Sequence, residues 1–188
     1  MTADSHSVLV ITKDLKISSL IQAMLTPPLF ECQIVNDFNE ARRLTSERLY
    51  NIILIDYADG EGGDFARDIS ENLSTILLLT PQHLYEEVSY RVEGYGIITV
   101  STPFDQFYFY TSIKTAIAVQ YKVQILSSQT TKLKVKMEEI RLMNRAKMLL
   151  MQNLKMTEEQ AHRYIEKESM NRGMKKTALS EEIIRTYA

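Results

Sequence analysis

The hydrophobic pattern of the chain changes near residue 110. Before that point, short apolar runs alternate with segments whose apolar residues recur every three or four positions. Val8–Ile11, Ile52–Ile55 and Ile76–Leu79 are runs typical of strands buried on both faces, and Glu31–Val35 and Tyr95–Val100 also predict strands. Because helical segments separate these strands, the pattern predicts an α/β fold with a doubly wound, five-stranded parallel sheet.

The helix predicted between the third and fourth strands covers Phe65–Asn72. We expect a loop before it, because Gly60, Gly62 and Gly63 stand close together there.

A second pattern begins within a stretch that has neither glycine nor proline, from Phe104 to Gly173. Apolar or small residues recur there at alternating spacings of three and four, which is the seam of a coiled coil. We predict a long coiled-coil helix over 112–144 that joins two copies of the chain in parallel. The residues assigned to this dimer interface are Val119, Val123, Leu126, Thr130, Leu133, Met137, Ile140 and Asn144.

The alternative for this helix is packing against its own domain. We expect that packing for its first part, including Phe107, Ile113 and Ile117. Beyond Gln120 the helix is too long for a small domain to cover.

A small all-α unit is predicted over 140–188. Thr157 and Gln160 fit a capping box, so a helix begins there, and Gly173 is a typical residue for ending one. Leu179, Ile183 and Ile184 predict a third short helix. The expected unit is a three-helix bundle whose first helix continues the coiled coil.

Composition limits the class of protein. With 188 residues, 45% hydrophobic and 24% charged, the chain is typical of soluble proteins. The single cysteine, Cys32, excludes an internal disulfide and a cysteine-based zinc site. No apolar run approaches the ~18 residues of a membrane span, and the N-terminus lacks the features of a secretory signal. We therefore expect a cytoplasmic protein with no membrane partner.

Charge is distributed unevenly. Residues 1–110 carry 7 Lys and Arg against 16 Asp and Glu, whereas residues 111–188 carry 15 against 8. Such asymmetry predicts that the second half binds a polyanion. The alternatives are that the two halves attract each other, or that a helical face is simply solvated.

Polar residues follow the predicted strands at the edge where parallel sheets place their sites. They are Thr12, Lys13 and Asp14, then Asp56, Thr80, Ser101 and Thr102. This arrangement resembles a response-regulator receiver domain, which we assign to residues 1–122. The resemblance puts Asp56 at the phosphoacceptor position, with Asp14, Lys13, Thr80 and Thr102 around it.

The chain departs from the receiver pattern at the phosphorylation site. Thr12 and Lys13 stand where receivers carry two acidic residues for Mg²⁺, and Thr102 replaces the lysine before Pro103. Phosphoryl transfer depends on such cations, so we predict a pseudo-receiver that signals by contact and uses no cofactor; Mg²⁺ would bind only if the site were active. We expect Lys13 to form a salt bridge with Asp56.

The C-terminal residues resemble the ANTAR domain, the RNA-binding module of transcription antitermination regulators. The resemblance rests on AlaLysMetLeuLeuMet at 146–151, LysMetThrGluGluGlnAla at 155–161, SerMetAsnArg at 169–172 and the pair Ile183-Ile184. The order of receiver, coiled coil and ANTAR domain is similar to that of antiterminators of the aliphatic-amidase type.

The resemblance implies a dimer that binds paired stem-loops in a nascent leader RNA and prevents formation of a terminator. The candidate RNA-binding residues are Arg141, Arg145, Lys147, Lys155, His162, Arg163, Lys167, Arg172, Lys175 and Lys176. For Tyr164 we expect packing in the core, with base stacking as the alternative. A sensor kinase or a ligand-sensing regulator is the expected protein partner.

Two other functions compete with this one. The first is a DNA-binding two-component response regulator, which Glu181 and Glu182 in the third predicted helix disfavour. The second is a signalling adaptor whose basic part binds an acidic protein. No nucleotide-binding loop, metal-ligand spacing or nucleophile motif favours an enzyme, and we expect no metal site.

Overall fold

The computed structural model describes residues 5–187 and confirms the predicted α/β fold. Five parallel strands form one sheet in the order β2-β1-β3-β4-β5, as in flavodoxin-like domains. The strands are β1 (His6–Ile11), β2 (Phe30–Val35), β3 (Ile52–Asp56), β4 (Thr75–Pro81) and β5 (Ile98–Thr102).

Helices follow each strand and continue the chain beyond the sheet. They are α1 (Leu15–Met24), α2 (Phe38–Glu47), α3 (Glu61–Asp68), α4 (Tyr85–Val92), α5 (Gln106–Leu154), α6 (Glu158–Asn171) and α7 (Lys176–Tyr187).

The strands separate two hydrophobic cores because successive side chains point to opposite faces of the sheet. Ile53 and Ile55 of β3 pack with α2, α3 and α4 in one core of 17 buried residues. Ile52 and Leu54 pack with α1 and the start of α5 in the other core of 13. This double burial explains why the strands are continuous apolar runs.

The prediction for the connection after β3 was partly wrong, since helix α3 begins at Glu61 and includes Gly62 and Gly63. A Cβ atom on Gly62 would lie 1.9 Å from the carbonyl oxygen of Asp56. Glycine is therefore needed at this position for close packing of the helix on the strand end, where the pattern predicted a loop.

Two predictions near the start of α5 also need correction. The fifth strand begins at Ile98 rather than Tyr95, after Gly96 takes a left-handed conformation with φ of +72°. Phe107 is 81% exposed, and Phe109 enters the core in its place. Ile113 and Ile117 pack against the sheet as predicted.

The three C-terminal helical segments share a small core of six buried residues: Ala146, Leu150, Ala161, Ile165, Leu179 and Ile183. The predicted capping box is present, because the Thr157 side chain accepts from the Gln160 N–H and the Gln160 side chain accepts from the Thr157 N–H. After α6, Gly173 has a φ of +61° and ends the helical path as expected.

The chain divides into two compact units, of which the first ends at Ile125 and the second begins at Leu126. Helix α5 contributes residues to both units. Within residues 5–187, no helix has the length and apolar character needed to cross a membrane.

Candidate functional site

The edge of the sheet around Asp56 is organised by Thr12. Strands β1 and β3 are paired with Ile11 opposite Ile55, so the next residues, Thr12 and Asp56, are neighbours. The Thr12 hydroxyl donates to Oδ2 of Asp56 at 2.8 Å and accepts from the Asp14 N–H at 3.0 Å. A neutral hydroxyl is therefore the side-chain partner of the Asp56 carboxylate.

The expected salt bridge between Lys13 and Asp56 is wrong. Lys13 Nζ lies 3.6 Å from Glu61 Oε2 and 5.9 Å from the centre of the Phe38 ring. The lysine follows the strand end and turns to the solvent side, where a different carboxylate is within reach.

The carboxylates at this edge fit Mg²⁺ poorly. Asp14 is the N-cap of α1, and its Oδ1 accepts from the N–H groups of Lys16 at 2.7 Å and Ile17 at 3.4 Å. The described part of the chain holds no group of three or more His, Cys, Asp and Glu that would ligate a metal ion. Mg²⁺ in phosphoryl-transfer sites is usually bound by one or two carboxylates together with phosphate oxygens and water, and the engagement of Asp14 in capping α1 leaves this edge poorly suited to the ion.

The remaining residues of the predicted phosphoacceptor site lie on neighbouring strand ends. Thr80 is paired with Ser101, and Pro81 with Thr102. Thr80 is fully buried, and its hydroxyl donates to the Leu78 carbonyl at 3.4 Å. The fold thus gathers Asp56, Thr80 and Thr102 at one edge, whereas the hydroxyl of Thr80 is directed into its own strand.

The residues assigned to the coiled-coil seam are largely exposed along α5. Leu126, Leu133, Met137 and Ile140 have between 49% and 62% of their surface accessible. The hydroxyl of Thr130 donates within the helix to the Leu126 carbonyl. Among residues 5–187, no segment covers this apolar row on the 49-residue helix.

Six of the ten candidate RNA-binding side chains lie against carboxylates of the same unit. The pairs are Arg141–Glu138, Lys147–Glu158, His162–Glu166, Arg163–Glu159, Arg172 with Glu168 and Glu182, and Lys176–Glu166. Several of these pairs join different helices, so they stabilise the bundle as well as reducing its net positive charge.

The tightest of these contacts also change the acidity of the carboxyl groups. A hydrogen bond from Lys147, 2.7 Å long, and the charge of Lys147 lower the pKa of Glu158. Lys176 and, to a smaller extent, His162 lower the pKa of Glu166. Both carboxyls are therefore ionised at neutral pH and hold their partners in place.

The other four candidates have no ion pair within residues 5–187: Arg145, Lys155, Lys167 and Lys175. All four are exposed. They are the cations of the predicted set that remain available to an external anion without breaking an internal contact.

Two aromatic candidates, Tyr164 and His162, lie on α6. Tyr164 is 37% exposed, so the prediction that it packs in the core was wrong, and Ala161 and Ile165 fill that role. His162 is also exposed, with Nε2 3.6 Å from Glu166 Oε1. Tyr164 therefore offers ring surface to a ligand.

Sequence reasoning missed Thr12 as the residue that holds Asp56. A signal was present, because parallel pairing of the first and third strands makes the residue after each strand a neighbour. Reasoning about charge favoured Lys13 instead. The sequence pattern also did not reveal the carboxylates that pair with the candidate RNA-binding cations, because their positions depend on how the three helices pack.

Comparisons with known proteins find a family match in the second unit and a structural likeness for the first. Residues 131–184 match the family model described as the ANTAR domain. A comparison of the chain with curated proteins finds no match.

Solved structures resemble the first unit. NtrX from Brucella abortus, in complex with ADP, is 14% identical with a TM-score of 0.59, and the match covers 67% of this chain but only 29% of the NtrX chain. The signal receiver domain of an HD domain-containing protein from Pseudomonas fluorescens is 17% identical over 66% of this chain and 96% of its own, with a TM-score of 0.58. A response regulator receiver protein from Burkholderia phymatum is 13% identical over 61% and 96%, with a TM-score of 0.53.

At these identities the likeness establishes the fold. The chain therefore combines a domain that has the fold of receiver domains with a segment, residues 131–184, that matches the ANTAR domain model.

Proposed function

We propose that this protein is a non-enzymatic, RNA-binding antitermination regulator. In this proposal the ANTAR domain binds stem-loops in a nascent leader transcript and prevents an overlapping terminator from forming. The observation that carries the proposal is the ANTAR match at 131–184 on a unit that keeps exposed cations without acidic partners. Phosphate contacts by Lys and Arg supply most of the affinity in such complexes. The regulator would act in the cytoplasm, where transcripts are made.

We propose further that the active form is a parallel dimer joined along α5. The exposed seam from Val119 to Asn144 supports pairing, because such a row of apolar residues is stable in water when a second helix covers it. Thr130 and Asn144 would fix the register. Two ANTAR domains on one stalk would bind two stem-loops, and linkage raises the overall affinity without new contacts.

The receiver-like domain is proposed to act by contact rather than by phosphorylation. Asp56 accepts from Thr12 instead of facing a lysine, and Asp14 is engaged in capping α1. A sensor kinase or a ligand-sensing regulator protein is then the partner that permits or prevents RNA binding by the ANTAR domain. The proposal includes no cofactor.

The experiment uses the full-length chain and an RNA with two tandem stem-loops. We expect the affinity to fall steeply with salt. The logarithm of the binding constant should fall linearly with the logarithm of the salt concentration, with a slope of about 0.7–0.9 for each phosphate contacted. Read-through of a terminator that overlaps the stem-loops should rise when the protein is added to a single-round transcription reaction. Equal binding to a duplex RNA without loops, or unchanged termination, would contradict the proposal.

A matched variant tests the dimer. Leu133→Asp places a charge in the exposed seam, and Lys132→Asp places one beside it. We expect only the first to produce a monomer in analytical ultracentrifugation and to weaken binding to the two-hairpin RNA more than to one hairpin.

A further inference from the structure

Ion pairs are concentrated on one side of α6. Glu158, His162 and Glu166 follow one another at intervals of four residues and therefore share a face of the helix. Glu158 meets Lys147 of α5, and Glu166 meets Lys176 at the start of α7. This side is closed by contacts with the neighbouring helices.

Another row of side chains along α6 contains no carboxylate, and Glu168, which borders this row, is paired with Arg172. Gln160, Tyr164, Lys167 and Asn171 recur at spacings of four, three and four residues, so they form one row along the helix. We call this row the acid-free strip. It holds one aromatic ring, one cation and two amides, and all four side chains are exposed.

The side chains of the strip are available for contacts. The Oε1 atom of Gln160 accepts from the Thr157 N–H, which leaves the amide nitrogen of Gln160 as a donor. Lys167 has no acidic partner within the described residues, whereas the neighbouring Arg163 is 2.6 Å from Glu159. A ligand that binds the strip would not need to break an ion pair.

The combination of groups matches unpaired nucleotides better than a regular duplex. An aromatic ring stacks on any exposed base, and amides bond to the edges of bases. A cation beside the ring, here Lys167, suits a phosphate that flanks such a base. A duplex would hide its bases from Tyr164.

We propose that the acid-free strip is the surface that reads unpaired bases in the RNA loops, with Tyr164 stacking on one of them. The proposal rests on the proposed RNA-binding function and specifies its site. It also assigns Arg172 and Lys176 to ion pairs that join parts of the bundle, and Arg163 to an ion pair within α6.

The test starts from a library of tandem stem-loop RNAs with fixed stems and randomised loops. Selection on the wild-type chain should enrich particular loop sequences. Failure to enrich any sequence would count against the proposed function itself and would overturn the strip with it.

The enriched RNA is then used with variants of the full chain. Tyr164→Leu should weaken binding by roughly 5- to 150-fold, the loss expected for one stacked base, and Tyr164→Phe should retain most of the affinity. Lys167→Gln should weaken binding, whereas the matched Arg163→Gln should change it by about twofold or less through long-range attraction alone. Binding to a loopless duplex should not depend on Tyr164.

A spectroscopic readout covers the case in which Tyr164→Leu fails to fold. The fluorescent base 2-aminopurine is placed at each enriched loop position in turn. At one position, its fluorescence should be quenched when the RNA binds the wild type or Tyr164→Phe. The folded Asn171→Ala variant should quench the fluorescence at that position less. Two outcomes would overturn the assignment of the strip while leaving the proposed function intact, provided that the wild type binds tightly. One is an equal loss of RNA affinity in Lys167→Gln and Arg163→Gln. The other is an absence of quenching at every loop position.

Discussion

The edge around Asp56 and the C-terminal bundle use charge in opposite ways. At the edge, the cations expected beside a phosphoacceptor are missing, and Asp56 is bound by the neutral hydroxyl of Thr12. In the bundle, cations are plentiful, but carboxylates of the same unit neutralise more than half of the candidate set. A charged residue therefore becomes informative about ligands only when its internal partners are known.

The two units also differ in how they are held together. The first has two cores of 17 and 13 buried residues around a sheet. The second has six buried residues and a set of ion pairs between helices. Small units bury a smaller fraction of their surface and have less stability to lose.

The largest expected effect follows from this difference in core size. Ile165→Ala should cost about 2–5 kcal/mol and unfold the bundle, while the sheet stays protected. Hydrogen exchange read by mass spectrometry would show the loss in α6 and α7. The matched variant Ile53→Ala makes the same truncation in the sheet and should leave α6 and α7 protected from exchange. If α6 and α7 also stay protected in Ile165→Ala, the bundle does not depend on its small core.

A smaller effect is expected at the Asp56 edge. Thr12→Val keeps the shape of the side chain and removes the donor to Asp56, which should lower the free energy of unfolding of the first unit by about 1–2 kcal/mol. Urea denaturation measures this loss. Lys13→Ala is the control, because an exposed pair such as Lys13–Glu61 contributes about 0–1 kcal/mol; a larger cost for Lys13→Ala would contradict the assignment of Thr12 as the partner.

The smallest effect concerns pH. The pKa of Glu166 is lowered in the folded bundle by Lys176, so its contribution to stability is complete above the ordinary glutamate pKa of about 4.3 and is lost as the pH falls through the lowered value. Thermal unfolding followed by circular dichroism should show this loss in acid. Glu166→Gln should be less stable at neutral pH and less sensitive to acid; an unchanged pH profile would show that the Lys176 contact adds nothing.

Much of the fold could be predicted because its signals are local. Strands buried on both faces must be continuous apolar runs, and Ile52–Asp56 is such a strand. The capping box of Thr157 and Gln160 and the position of Gly173 act within a few residues, and both predictions were confirmed. The same local character made the ANTAR resemblance readable.

The errors occurred where contacts between distant residues decide. Gly62 is part of a helix because that helix packs on the carbonyl of Asp56, and Phe107 is exposed because Phe109 takes its place in the core. Tyr164 has helical spacing with apolar residues, but Ala161 and Ile165 fill the small core. Periodicity identifies a face of a helix and does not say how wide the buried part of that face is.

The sequence by itself determined the parallel sheet, the long α5 helix, the C-terminal helices and the uneven charge, since each depends on residue types at fixed short spacings. The tertiary structure decided that Thr12 rather than Lys13 holds Asp56, and which cations remain without a carboxylate. Those outcomes depend on distances of a few ångströms between side chains far apart in the chain, and Coulomb attraction and hydrogen bonding select among partners only after packing has set these distances.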